Sequence, residues 1–277
     1  MASKLDFKSL ENSELLLVVA SSDSMQQVTL DVLKYFVNTK NSFCIYVTVA
    51  KPYNTIMNIL NKNGIKTDRI FFIDEKGGIC NSSLISCLII KNLLKEKRHA
   101  GIIYNLVCSK IVPETIVKFG GKAIIERVGH SYIKDTMRKT GAVFACEHSA
   151  HYYYKDNFNA DSGIISSLIV SGIVSKENKK LSSLLEEFQK YHKIEETNFK
   201  VEGKKAAMES IEKHYKRQKP EKILKLDGIT VEFKDWWFNV RPSNTEPLLR
   251  LNLEAQSGEL LAEKLKEIKG LLAPEAL

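Results

Sequence analysis

Residues 100–126 read AGIIYNLVCSKIVPETIVKFGGKAIIE. An apolar run at 100–106 predicts a strand, the spacing of apolar residues over 112–119 predicts a helix, and 122–126 is a second short apolar strand. Strand, helix, strand in this order favours a parallel pair joined by a helical crossover.

The same grammar extends in both directions. Upstream, 84–94 reads as a helix, and the first 74 residues alternate strand (15–20), helix (28–37), strand (43–49), helix (53–60) and strand (70–73). Pro52 opens the second of those helices and Gly64 closes it. Downstream come a helix over 131–139, a strand over 142–145 and apolar helices over 164–174 and 181–191. Beyond about residue 195 the pattern changes: a charged amphipathic helix at 202–215, a hairpin of 225–226 with 229–233 around Asp227-Gly228, strands at 236–241 and 248–254, and a last helix at 258–270. The expected fold class is therefore α/β, a mixed or parallel three-layer sandwich, with an additional C-terminal α+β domain carrying an antiparallel sheet. The expected divisions are a short α/β segment over 1–74, a domain over 75–192 and a domain over 193–277.

With 277 residues, 44% hydrophobic and 27% charged, the chain is neither disordered nor fibrous. A net charge of +8 suits an anionic partner without saying which. The N-terminal residues lack the apolar run of a signal peptide, and 85–94 is broken by Ser86, Lys91 and Asn92, so neither secretion nor a membrane span is expected and the cytoplasm is. The five cysteines contain no Cys-x-x-Cys pair and read as buried free thiols. The basic run Lys213, Lys216, Arg217, Lys219, Lys222 is interrupted by Glu209, Glu212 and Glu221, which fits a solvated helix face rather than nucleic-acid binding.

Three clusters carry chemistry. Arg241-Pro-Ser-Asn-Thr-Glu-Pro247 brings a guanidinium fork, two hydroxyls and an amide into one loop, with Arg250 on the strand that leaves it. Arg241, Ser243, Asn244, Thr245 and Arg250 are the candidate phosphate ligands, with Glu246 orienting the arginines; a polar turn between strands is the alternative. The second cluster, Glu147-His-Ser-Ala-His151, offers Glu147 and Ser149 to sugar hydroxyls, and its His-x-x-His spacing does not by itself specify a metal. Tyr152 and Tyr154 beside it read as core. The third cluster places His130 after Gly129 at a helix start, and Ser109-Lys110 at a matching strand-to-helix turn.

Together these motifs resemble the phosphohexomutases, the family of phosphomannomutase and phosphoglucomutase. Arg241–Pro247 with its flank Trp237–Val240 resembles the family's phosphate-binding loop, Glu147–His151 its sugar-recognition loop, and Val128–Ser131 and Cys108–Lys110 further segments of its third domain. The resemblance implies a four-domain architecture that shifts phosphate between the 1- and 6-positions of a hexose. It also implies a phosphoserine in the first domain and magnesium held by three aspartates in the second. It makes a hexose phosphate the expected partner, with Glu147, Ser149, His130 and Lys110 for the sugar.

The chain departs from the family in ways that bear on catalysis. No serine among residues 1–70 lies in a Ser-His-Asn-Pro setting; Ser21, Ser22 and Ser24 only follow a strand. The magnesium loop's three carboxylate positions hold Gly64, Lys66 and Asp68, too few oxygens for a hard dication. Ala145, Cys146 and Ala150 stand where the family has glycines, and Asn105 and Lys110 where it has aspartate and arginine. No catalytic residue and no metal ligand is therefore assigned, and magnesium is expected of the family but its site is degraded. The chain alone is expected to recognise a hexose phosphate without turning it over. The alternatives are a non-enzymatic phosphosugar-binding or regulatory module, or a subunit whose protein partner supplies the missing domains. Residues 1–74 faintly resemble part of an archaeal circadian-clock-type ATPase relative but contain no Gly-x-x-x-x-Gly-Lys-Ser/Thr loop.

Overall fold

The computed structural model describes residues 81–272 except Glu202, Asn244 and Thr245; before them it describes Lys34, Lys62, Gly64 and two short strands. Those strands, β1 (Cys44–Tyr46) and β2 (Ile70–Phe72), pair in parallel. Apart from Lys34, the expected elements over 15–20, 28–37 and 53–60 lie outside the described residues, as do Ser21, Ser22, Ser24, Lys66 and Asp68. The chain divides into two compact units, residues 1–80 and residues 81–277.

The second unit begins with α1 (Ser82–Glu96), started by Asn81, whose side chain accepts from the Ser83 amide at 2.9 Å. Then follow β3 (Gly101–Asn105), α2 (Ile111–Lys118), β4 (Lys122–Glu126), α3 (His130–Thr140) and β5 (Phe144–Cys146). The sheet is completed by β6 (Tyr152–Tyr154) and β7 (Ala160–Asp161), and α4 (Gly163–Glu177) and α5 (Leu181–Leu185) close the layer. The order is β4-β3-β5-β6-β7; β3 is parallel to β4 and β5, and β6 and β7 run antiparallel.

Because side chains alternate along a strand, the sheet buries both faces with different residues. Ile103, Ala145 and Tyr153 pack with Ile133 and Met137 of α3 on one face. On the other, Tyr152 reaches the Ser82 carbonyl of α1 and Tyr154 meets Ser166 of α4, so the helices form two layers around the sheet. Cys87, Cys108 and Cys146 are buried free thiols.

The chain then builds an antiparallel sheet from β8 (His192–Lys193), β9 (Thr197–Lys200), β10 (Lys222–Leu224), β11 (Ile229–Glu232), β12 (Trp236–Pro242) and β13 (Leu248–Ala255). The order is β10-β11-β12-β13-β8, with β9 also on β13. Helices α6 (Lys204–Lys216) and α7 (Gly258–Leu272) bury the side carrying Phe238, Val240, Leu249, Leu251 and Leu253. The opposite side of β12 and β13 is polar: Trp237 faces Glu254, Asn239 faces Asn252, and Arg241 faces Arg250.

Three expectations are corrected. The helix over 181–191 stops at Leu185, after which a tighter turn over Glu186–Phe188 buries Phe188. The first hairpin strand lies at Lys222–Leu224, because Leu224 pairs with Thr230 and leaves Lys225 and Leu226 in the turn. Tyr152 and Tyr154, read as core side chains, belong with Tyr153 to a strand that pairs with β5. Among the described residues no helix is long and apolar enough to cross a membrane.

Candidate phosphosugar site

The phosphate-loop residues sit where β12 leaves the sheet and β13 returns. Arg241 and Arg250 are directly opposite, so their side chains share one face. Glu196 spans them: Arg241 Nη2 donates to its Oε2 at 2.9 Å, Arg250 Nη1 to its Oε1 at 3.4 Å, and Asn252 Nδ2 to Oε2 at 2.9 Å. Burial raises the pKa of Glu196, but the Asn252 hydrogen bond and the Arg241 charge outweigh it and hold the carboxyl below its ordinary value. Glu246, expected to orient the arginines, is exposed instead; its backbone oxygen accepts from Lys204 Nζ at 2.7 Å, and the Ser243 oxygen accepts from the same ammonium at 2.8 Å. Lys204, at the start of α6, thus ties down both ends of the loop. Asn244 and Thr245 lie outside the described residues.

Several polar atoms here are buried with no hydrogen-bond partner among the described residues: Arg241 Nε, Arg250 Nε and Ser243 Oγ. Ser243 is only 4% exposed and the Arg241 side chain 13%. Donors so placed favour an anion that brings its own acceptors.

The sugar-loop carboxylate is held from three sides. Glu147, 2% exposed, accepts from Tyr153 Oη at 2.5 Å, from Asn105 Nδ2 at 3.1 Å and from the Gly129 amide at 3.3 Å. Burial, and then the bond to Glu147, holds the Tyr153 phenol far above its ordinary pKa, so it stays a donor. A carboxylate accepts about four hydrogen bonds, and three donors leave capacity for a hydroxyl. Ser149 is exposed, with Oγ 2.9 Å from His151 Nδ1, and Ala150 adopts a left-handed φ of 63°. His130 opens α3 after Gly129; its ring lies 4.4 Å from that of His151, and its Nδ1 is 3.7 Å from Asp161 Oδ1.

His130, Glu147 and His151 each present a ligand atom within 4.8 Å of the others, a cluster that can hold a divalent ion. Two imidazoles and one carboxylate suit a zinc-class ion better than magnesium, which prefers oxygen and water. Gly64, the one described position of the expected magnesium loop, has no side-chain oxygen to give.

Lys110 is placed differently. Its backbone amide donates to Glu254 Oε1 at 2.8 Å, the oxygen that also accepts from Trp237 Nε1 at 2.8 Å. Its side chain lines a cavity of about 550 Å³ with Tyr104, Glu232 and Trp237, which Glu147, Ser149 and His130 do not border. Beside this junction Lys193 Nζ donates to the Val107 carbonyl; burial pushes its ammonium down to about 8, against the pull of Glu254.

The profile described as "Phosphoglucomutase/phosphomannomutase, alpha/beta/alpha domain III" matches residues 81–191, and that described as "Phosphoglucomutase/phosphomannomutase, C-terminal domain" matches residues 196–271. Residues 81–271 belong to the phosphoglucomutase/phosphomannomutase family. Within this family the chain is 47% identical to a phosphomannomutase of Methanocaldococcus jannaschii over 206 residues, which is 74% of this chain and 45% of the relative. It is 30% identical to a probable phosphoglucosamine mutase of Methanopyrus kandleri over 197 residues, 71% of this chain and 43% of that protein. A crystal structure of a phosphoglucomutase/phosphomannomutase family protein from Burkholderia thailandensis superposes with a TM-score of 0.63 at 25% identity, covering 73% of this chain and 44% of that one. The chain thus spans less than half the length of these relatives.

The sequence singles out the Arg241 loop and the Glu147 loop as candidates. It missed Glu196, Lys204, Tyr153 and the tie between Asn105 and Glu147, because each acts through a contact distant in sequence. Only the Arg241/Arg250 pair carries a usable signal, since two partly buried cations on one face call for a nearby carboxylate.

Proposed function

We propose that residues 81–271 bind a hexose phosphate, with Arg241, Arg250, Ser243, Asn244 and Thr245 on the phosphate and Glu147, Ser149 and His130 on the sugar hydroxyls. The observation that carries this reading is the pair of opposed arginines whose buried Nε atoms, with Ser243 Oγ, have no partner among the described residues. The reaction inferred from the relatives is transfer of phosphate between the 1- and 6-positions, in the cytoplasm. Recognition is this segment's share of it. In-line transfer needs a positioned nucleophile and a cation, and residues 81–271 supply neither in this reading, so the catalytic parts lie outside this segment. Lys110, placed with the sugar by resemblance, is kept out because its side chain lines a separate cavity. Residues 1–74 lack a phosphate loop and are given no nucleotide site.

Calorimetry with glucose 6-phosphate and mannose 6-phosphate tests the reading. Saturable binding is expected, weakened about 100-fold in Arg241→Ala, since two charge-assisted hydrogen bonds contribute about 3 kcal/mol together. No turnover is expected with magnesium and a hexose bisphosphate. Binding that is absent, or indifferent to Arg241, refutes the proposal.

A further inference from the structure

We propose that Glu196 is a positioning residue for the phosphate clamp, set in place by a one-residue bulge in the strand that joins the two domains. Along β8, Lys193 pairs with Glu254, and the Ile194 amide donates to the Leu253 carbonyl at 3.0 Å. Along β9, Thr197 pairs with Leu251 and Asn198 with Arg250. Between Leu253 and Leu251 there is one residue, Asn252; between Ile194 and Thr197 there are two, Glu195 and Glu196. Two residues facing one is a β-bulge, and a bulge changes which face the following side chains take.

The change of face decides what Glu196 does. In unbroken register it would lie opposite Leu251, on the side that α6 and α7 bury. With the extra residue it comes level with Asn252, on the side of Arg250 and Arg241. The Thr197 hydroxyl donates to the Glu195 carbonyl at 3.1 Å, inside the bulge, and Glu195 itself is exposed.

Two arginines directly across a strand pair repel each other, the more so when partly buried. One carboxylate touching both guanidinium groups offsets that repulsion and fixes each by a different nitrogen. Asn252 holds the carboxylate in turn. Neither buried Nε atom carries a hydrogen bond among the described residues, so the carboxylate leaves both unused. Glu196 orders the clamp and does not compete for it.

This inference rests on the phosphate-site reading, and one set of titrations separates the two. Inorganic phosphate and glucose 6-phosphate are titrated into the full chain and into Glu196→Gln, Asn252→Ala and Arg241→Ala. Removing one negative charge raises the local positive charge, so simple attraction or competition by the carboxylate predicts tighter binding in Glu196→Gln. Positioning predicts the reverse: affinity about tenfold weaker in Glu196→Gln, from the loss of one charge-assisted contact, and a smaller loss in Asn252→Ala. The arginine Nε–H signals in ¹⁵N spectra supply a readout that a purely structural role would not move. Two are expected to be resolved in the native chain and to broaden in Glu196→Gln at unchanged melting temperature. If Glu196→Gln does not fold, Asn252→Ala carries both measurements. Unchanged or tighter phosphate binding in folded Glu196→Gln or Asn252→Ala overturns the proposal; no phosphate binding by the native chain, or binding unchanged in Arg241→Ala, overturns the site reading instead.

Discussion

Replacing Gly228 by alanine tests how tightly the clamp is set by its neighbouring turn. Gly228 has φ +70°, and an added Cβ would stand 2.2 Å from the Val240 carbonyl oxygen and 2.6 Å from Arg241 Cα. Gly120 is the matched control, with φ +80° and nothing within 4 Å of an added Cβ. Both substitutions carry the left-handed cost of about 1–2 kcal/mol, partly offset by about 0.4–1 kcal/mol through a less flexible unfolded chain. Gly120→Ala should therefore lose about 1 kcal/mol. Gly228→Ala must also displace backbone that cannot rotate away; overpacking of this kind adds about 1–3 kcal/mol, for a total of about 2–4 kcal/mol. Urea denaturation of the two variants against the native chain reads the difference. Since the atoms in the way belong to Val240 and Arg241, Gly228→Ala should also weaken glucose 6-phosphate binding while Gly120→Ala leaves it unchanged. Equal losses of stability, or full affinity in Gly228→Ala, refute the reasoning.

Two further outcomes are expected. Tyr153→Phe removes a donor to the buried Glu147 carboxylate and should cost about 1.5–3 kcal/mol in a thermal or urea melt; a change below about 0.5 kcal/mol, the range of neutral surface substitutions, speaks against a held carboxylate. His148 is pushed down to about 4, by burial first and then by Lys193. Its folded pKa lies below the ordinary 6.5, so the unfolded chain takes up the proton first as pH falls. Stability should then drop between about pH 6.5 and 4, by up to about 3 kcal/mol. His148→Asn should flatten that slope in melts at pH 7 and 4.5, and an unaltered slope contradicts the assignment.

The alternation along 236–241 and 248–254 made both strands legible, because the apolar set Phe238, Val240, Leu249, Leu251 and Leu253 fills one face while the polar set shares the other. The strand, helix, strand reading of 100–126 held for the same reason: local periodicity is set by burial on a known side. What stayed hidden depends on register. A bulge is an odd residue in a pairing that no local pattern reveals, so Glu196, an ordinary acidic residue in a mixed-charge stretch, gave no sign that it would reach Arg241. The donors to Glu147 are concealed similarly, Asn105 lying 42 residues away across the sheet. Lys225 and Leu226 were misplaced because Asp227-Gly228 suggests a two-residue hairpin turn, whereas the backbone of Gly228 packs onto β12 and opens a longer loop.

The polar face of β12 and β13 does two jobs at its two ends, and the strands between make them one mechanical element. At one end Glu254 accepts from the Lys110 amide of the third domain and from the Trp237 indole, with Lys193 beside them on the Val107 carbonyl. At the other end, Arg241, Arg250 and Asn252 converge on Glu196. Trp237 and Arg241, and Arg250 and Glu254, lie four positions apart, about 13 Å of paired strand, and Asn239 and Asn252 lie between them. A rotation of the C-terminal domain that broke the Glu254 contacts would carry the arginines with it, since a paired ladder bends little over so short a span. The segment that joins the domains, His192 to Glu196, contributes to both ends, through Lys193 at the junction and Glu196 at the clamp. The angle between the domains and the position of the proposed phosphate ligands are thus set by the same five residues, so substitutions at Lys193 should alter phosphate affinity without touching the ligand.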